Sequence, residues 1–405
     1  MEKEGCQAEV IDCRAIKWAK AHIREKADRA DLVVLTSSPL DRWQCPNLEL
    51  APVLEAAWLL PQDRLFVTGV QGTLFPEEML SLTQAKGIIR GQPEETVRDL
   101  AQGRAFAQVP GLTWQDQGQA VSNPDRPPLN PADLPLPAYH LLDLAGYAYE
   151  LLGHRLGLVE TARGCPFACA FCLKAMYPGR LRAKPTSQVL EEVEALVRGH
   201  RAQCLYFIDL EFAARRQAVE ELCRGLIERR LTRPWSCQTR LDSVDRDLLD
   251  LMSRAGCRLI HFGVETADSR ALKKAAKPID LRAAARTFDQ ARQAGLQTAA
   301  FFLLGLPGQD QRQARQTLAL ARRLKPTFAS FHVMTPYPGT AWGAPASSWQ
   351  AWAEAARSRE EAWSAACRRA YLGFYLRPGY FLAGLKGPGR LPWARGFKLW
   401  RSFVR

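Results

Sequence analysis

Short, continuous apolar runs bounded by Gly, Pro or Asp punctuate most of the chain. Runs of that length read as strands buried on both faces, and the segments between them carry apolar residues at helical spacing. In the first hundred residues the strands fall at 8–13, 31–36, 64–69 and 87–91. Helices are expected with Ile16, Ala19 and Ile23 on one face, and across 48–60. Strand alternating with helix means a parallel sheet of Rossmann or flavodoxin type. Residues 106–150 break the pattern. Pro110, Pro124, Pro127, Pro128, Pro131, Pro135 and Pro137 forbid regular helix or central strand, so a connector is expected there. Six strand–helix units follow, with strands at 156–161, 204–209, 235–240, 258–264, 297–304 and 328–334 and helical patterns such as Val189–Leu196 between them. The pattern therefore predicts an α/β protein. It divides into a Rossmann-type domain over 1–120, a Pro-rich linker over 121–150, a second α/β unit over 151–342 and a helical C-terminal segment over 343–405.

Composition narrows the setting. At 405 residues with 47% hydrophobic and 24% charged residues, the chain has ample material for more than one packed core. No apolar run reaches transmembrane length, and the charged start MEKEGCQAEV does not read as a signal peptide. Eleven cysteines without an export signal argue for free thiols in a reducing, cytoplasmic setting. Cys6, Cys13, Cys45, Cys204, Cys223, Cys237, Cys257 and Cys367 read as small core or surface residues. The net charge of +13 comes from scattered arginines such as Arg229-Arg230 and Arg322-Arg323. Without an aromatic–basic platform it reads as a solvated surface, not a nucleic-acid site. Near the C-terminus Trp349, Trp352, Trp363, Trp393 and Trp400 mix with Arg and Lys, and the chain ends in a basic aromatic tail over 395–405. Such a tail either packs against the second α/β unit or makes peripheral contact with an anionic membrane.

The candidate chemistry lies in one loop. Cys165, Cys169 and Cys172 are spaced C-x3-C-x2-C, directly after the strand 156–161 and a Gly turn at Gly164. A zinc site normally adds a second Cys or Cys/His pair, and none is present; a ferredoxin loop is spaced C-x2-C-x2-C-x3-C. Three thiolates on a four-iron cubane leave one iron open, so the loop reads as a reactive centre at the C-terminal end of a strand.

This loop, with Phe171 before the last Cys, resembles the cluster loop of radical S-adenosylmethionine (SAM) enzymes. The resemblance implies a 4Fe–4S cluster whose open iron binds the SAM amine and carboxylate. An electron then releases a 5′-deoxyadenosyl radical, and an external donor such as flavodoxin or ferredoxin supplies it. The six βα units then form the open, partial (β/α)6 TIM-type barrel of that family. By the same resemblance several strand ends face SAM. Asp209 and Glu211 sit in a D-x-x-F-like run, where they accept from its amine, with helix capping as the plain alternative for Asp209. Arg240 meets a carboxylate, or pairs with Glu265 or Asp242. Glu265 resembles the Glu of G-x-E-S, and Gly305 and Gly308 resemble G-x-P-G, where backbone approaches adenine. Tyr337, in a run similar to P-x-P-G-T, is expected to face substrate. His261 receives no role.

Residues 1–105 resemble the cobalamin-binding domain of radical SAM methylases. Gly69, Gln71 and Thr73 match its G-x-H-x-T-x-x-P-E loop, with Gln in place of His, and Gly91 matches its V-x-G-E-x-E loop. The D-x-H-x-x-G run that supplies a cobalt ligand elsewhere is missing. Residues 1–13 correspond to the family's second strand, so the domain is expected to be incomplete. The expected function is cobalamin-dependent methyl transfer to an unactivated carbon of a small-molecule or peptide substrate. A cobalamin-independent cyclisation, dehydrogenation or rearrangement, and a non-catalytic iron–sulfur paralogue, are the alternatives.

Overall fold

The computed structural model describes residues 2, 5–13, 20–39, 43–343 and 345–377. The expected helix face at Ile16 and Ala19 and the aromatic tail with Trp393 and Trp400 lie outside them.

Two sheets organise the chain. The N-terminal sheet has the order β1 (Val33–Thr36), β2 (Leu65–Thr68), β3 (Gly87–Ile89), β4 (Leu112–Asp116), β5 (Gln119–Ser122). The first three strands are parallel, as short apolar runs separated by helices require. The last two are an antiparallel hairpin that the proline-rich reading of this stretch does not anticipate. Its two-residue loop explains it. Gln117 and Gly118 have φ of 48° and 83°, the left-handed pair that a tight hairpin needs.

The expected strand at 8–13 does not form. Among the described residues nothing pairs on the outer edge of β1; residues 8–13 leave that edge unused and carry no strand, and Val10 is left 47% exposed.

The second sheet holds β6 (Leu156–Val159), β7 (Cys204–Phe207), β8 (Trp235–Thr239), β9 (Cys257–Glu265), β10 (Gln297–Leu304) and β11 (Phe328–Val333). Each is parallel to the next, and spatial order equals chain order. This is the open (β/α)6 arrangement: strands wound one way with helices outside. Alternate residues such as Phe207, Cys237, Phe262, Phe302 and Phe331 pack outward against those helices in one continuous core. At the barrel bottom, Leu259, Ala299 and Phe328 pack against Tyr149, Leu151 and Leu152 of a short hairpin.

Asp245, Asp268, Asp280 and Asp310 each cap the helix that follows by accepting backbone N–H bonds. Each cap is worth about 1 kcal/mol and fixes where strand gives way to helix. The helix Trp349–Tyr375 covers the edge strand β11. There the Tyr371 hydroxyl accepts from Phe331 N at 3.0 Å, and the Tyr375 hydroxyl binds both N and O of Ala329. Tyrosine side chains thus satisfy backbone groups that an exposed edge would leave open.

Candidate active site

The three cysteines lie beyond β6, on the loop that joins the two strands of the short antiparallel pair Ala162–Arg163/Arg182–Ala183, at the C-terminal mouth of the barrel. Backbone bonds hold the loop to two distant segments: Ala170 N donates to Ala275 O at 2.9 Å, and Trp342 N donates to Ala170 O at 3.0 Å. Lys174 Nζ donates to Phe167 O at 2.8 Å across the loop itself. The thiols are partly buried. Burial, with Cys169 and Cys165 alongside, pushes the Cys172 thiol up to about 12. Loading with metal therefore releases protons. Among the described residues no three His, Cys, Asp or Glu side chains are gathered around a single-ion position. The soft donors fit a cubane, in which each thiolate takes its own iron.

The strand ends differ in what they present to this loop. Arg240 follows β8 and is 6% exposed, with its guanidinium 4.2 Å from the Phe167 ring centroid. Its Nε and Nη2 bind Asp242 at 2.8 and 2.6 Å, while Nη1 is buried without a partner. A buried guanidinium N–H beside the cluster loop suits a carboxylate. Glu211 accepts from Thr239 Oγ1, and burial raises its pKa. Glu265 ends β9 after a register shift at Gly263/Glu265 and sits at φ 67°. Such an outlier on a non-glycine residue, re-aimed by a bulge, marks a constrained position.

Lys277 was not visible in the sequence as a site residue. It ion-pairs with Glu265, and its ammonium lies 5.9 Å from the Phe171 ring centroid. Gly263 is required beneath this pair, since an added Cβ would collide with both Glu265 Oε1 and Lys277 Nζ. No spacing rule points to a lysine in Ala276-Lys277-Pro278; only the fold brings it to Glu265.

Other expected residues take structural partners. Asp209 pins the end of β6: its Oδ1 accepts from Thr161 Oγ1, Thr161 N and Ala162 N at 2.8, 3.1 and 2.6 Å. It neither caps a helix nor presents an unengaged carboxylate, and burial raises its pKa to about 7. Gly305 (φ 73°) lies under the Trp363 ring, and its carbonyl accepts from Arg359. Gly308 (φ 76°) has open space over its Cα. Tyr337 has a packing environment in place of the expected substrate-facing one. Its ring lies 5.1 Å from that of Trp352, and its hydroxyl donates to Pro46 O at 3.2 Å.

In the N-terminal sheet, Gln71 is fully buried, accepts from Ser37 Oγ at 2.7 Å and donates to Asn47 O at 3.1 Å. Thr73 Oγ1 donates to Gly69 O, accepts from Gly91 N at 2.9 Å and touches Met176 Sδ of the cluster loop. A Cβ on Gly69 would collide with Ser37 Oγ and Ser38 Oγ, whereas Gly91 is open. Next to Gly91, Gln92 Nε2 and Glu94 Oε2 are buried without partners.

Residues 159–321 match the model of the Radical SAM superfamily. The chain carries a radical SAM domain. That domain implies a 4Fe–4S cluster and SAM, and the three thiols and Arg240 Nη1 are the groups here that fit them. An uncharacterised methyltransferase of Pyrococcus horikoshii is 27% identical over 311 residues, spanning 72% of this chain and 67% of that protein. The anaerobic magnesium-protoporphyrin IX monomethyl ester cyclase of Rubrivivax gelatinosus is 29% identical over 281 residues, spanning 67% of this chain and 51% of the cyclase. The chain thus spans between about half and two thirds of these relatives. Radical SAM architecture with methyltransferase-named relatives marks the chain as an enzyme.

Two solved structures share the fold. The methyltransferase TsrM of Kitasatospora setae, solved with cobalamin and a [4Fe-4S] cluster, superposes with a TM-score of 0.69 at 20% identity, covering 84% of this chain and 72% of its own. The radical enzyme OxsB, solved with aqua-cobalamin and SAM, gives 0.62 at 17% identity, covering 91% of this chain and 52% of its own. No described helix is long and apolar enough to cross a membrane.

Proposed function

We propose that the protein is a radical SAM methylase that uses cobalamin to methylate an unactivated carbon of a small molecule or peptide. The observation that carries the reading is a cysteine loop braced by the N-terminal unit, as Thr73 touches Met176 and the Trp43 ring lies 5.1 Å from that of Tyr177, tilted by 57°. Cys165, Cys169 and Cys172 would hold the cluster. Arg240 Nη1 would bind the SAM carboxylate, and Glu265 with Lys277 and Gly308 would line the rest of its site. When bound, cluster and SAM supply the radical that abstracts hydrogen, and cobalamin supplies the methyl group. Gly91, whose Cα has open space over it, would face cobalamin. Phe171 and Trp342, 6.1 Å apart, would keep water from the mouth. The electron would come from a flavodoxin or ferredoxin of a reducing cytoplasm.

A second reading, radical cyclisation, dehydrogenation or rearrangement without cobalamin, is favoured by Gln71 and Thr73, whose polar groups are already bonded to protein. One experiment separates the two. The full chain is reconstituted anaerobically with iron and sulfide, incubated with cobalamin and desalted. Retained corrin absorbance at one equivalent supports the methylase. Corrin lost on desalting, with 5′-deoxyadenosine still formed from SAM, supports the second reading.

A further inference from the structure

We propose that Arg163 is a positioning residue, a buried ionic latch through which the N-terminal sheet holds the cluster loop in register with the barrel. Arg163 stands two positions before Cys165. Its side chain is 6% exposed; Nε binds Glu160 Oε2 at 2.8 Å and Nη2 binds Glu94 Oε1 at 2.6 Å. Glu160 directly follows β6, whereas Glu94 opens the helix that follows β3. One guanidinium therefore joins both sheets, and only Gly164 separates it from the first cluster thiol. Only glycine fits at this link. Gly164 has φ 86°, and a Cβ there would lie 2.8 Å from Arg180 O, so no side chain can take its place without shifting the turn.

The seam around the latch is unusual in its bonding. Glu94 Oε2, Glu160 Oε1, Arg163 Nη1, Arg182 Nη2 and Gln92 Nε2 are all buried without partners. They form one connected group. Arg182 pairs with Arg163 across the short antiparallel ladder, and Leu129 bonds both Arg182 Nε, at 2.7 Å, and Gln92 Oε1, at 2.9 Å. Three donors and two acceptors on one bonded network are thus left unmatched, where most buried polar groups are paired. An apolar seam would be at least as stable as two carboxylates around one guanidinium, so directional charge here serves geometry more than stability. The apolar contacts beside it, Met176 and Tyr177 against the N-terminal core, hold the loop without fixing its register.

The inference concerns the cluster site of the radical SAM reading, and its first test needs no cluster. In the apo full chain, hydrogen exchange is followed for wild type, Arg163→Met and the milder Glu94→Gln. The latch predicts exchange roughly tenfold faster across 164–182 in both variants, with the helices of the barrel unchanged. Equal exchange in all three proteins overturns the latch, whatever cluster the protein holds. Absence of iron–sulfur absorbance from reconstituted wild type would instead sink the radical SAM reading. In reconstituted protein, both variants should keep wild-type iron content but bind SAM about tenfold more weakly, and SAM should alter their cluster EPR spectrum less. Arg163→Lys should recover part of the loss, and the double variant should be no worse than either single. Lower thermal stability with SAM affinity and EPR unchanged overturns the proposal.

Discussion

The two sheet mouths are built alike and bonded differently. The barrel sheet and the first three strands of the N-terminal sheet are parallel, and both direct the loops after those strands toward the same cysteine loop. At the barrel mouth, Arg240 keeps a buried N–H without a partner, and Glu265 is held by Lys277 at a strained backbone position. On the N-terminal sheet, Gln71 and Thr73 are saturated by Ser37, Asn47, Gly69 and Gly91. A group that is buried and unmatched is poised for a ligand, whereas one already bonded holds the fold. Resemblance marks both mouths as binding loops. Bonding state tells which residues of each are ready.

Three substitutions sharpen or break this contrast. Cys169→Ala should have the largest effect. It should abolish the iron–sulfur absorbance and lower 5′-deoxyadenosine formation by at least about a hundredfold, leaving far-ultraviolet circular dichroism unchanged. Unaltered SAM cleavage would remove the barrel mouth as the reactive centre. Arg240→Gln and Gln71→Ala form the next pair. Loss of a charge-assisted bond worth about 1.5–3 kcal/mol should raise the SAM Kd roughly ten- to hundredfold in the first, with little change in stability. The second should lower stability by roughly 1–3 kcal/mol through Ser37 and Asn47 and leave the SAM Kd alone. Calorimetry and denaturant titration check both, and interchanged outcomes would erase the distinction between the mouths.

The smallest effect lies at the barrel bottom. His261 stacks on Phe301 and bonds Tyr149 at 3.0 Å, and burial lowers its pKa to about 4 from 6.5. The unfolded chain takes up this proton first as pH falls. The stabilisation is therefore complete above about pH 6.5 and is lost as pH drops toward 4. His261→Gln, which keeps a group to meet Tyr149, should flatten that slope in melting temperature against pH. An unchanged slope would place the titration elsewhere.

Legibility followed range. The six barrel strands were readable because each is a local apolar run with a turn behind it, and the cluster loop because three cysteines are neighbours in sequence. The hairpin at 112–122 was obscured by surrounding prolines, though its Gln117-Gly118 turn was a usable signal. The strand expected at 8–13 did not form although the outer edge of β1 is open among the described residues, since whether a segment docks on an edge is not set by its local pattern. Tyr337 and Asp209 sit at strand ends that resemble binding positions. The hydroxyl partner of the first, Pro46, and the partner of the second, Thr161, are far away in the chain.

Alternating apolar runs and cysteine spacing by themselves determined the α/β architecture and the one loop that gathers the three thiols proposed to hold the cluster, because helix, strand and a clustered thiol set depend on residues close in sequence. Only the tertiary structure decided which polar groups stand ready: that Lys277 answers Glu265, that Arg163 ties Glu160 to Glu94, and that Gln71 is already engaged. The reason is physical. A buried polar group's readiness depends on whether a partner lies within hydrogen-bond reach, and folding, not sequence separation, sets that distance.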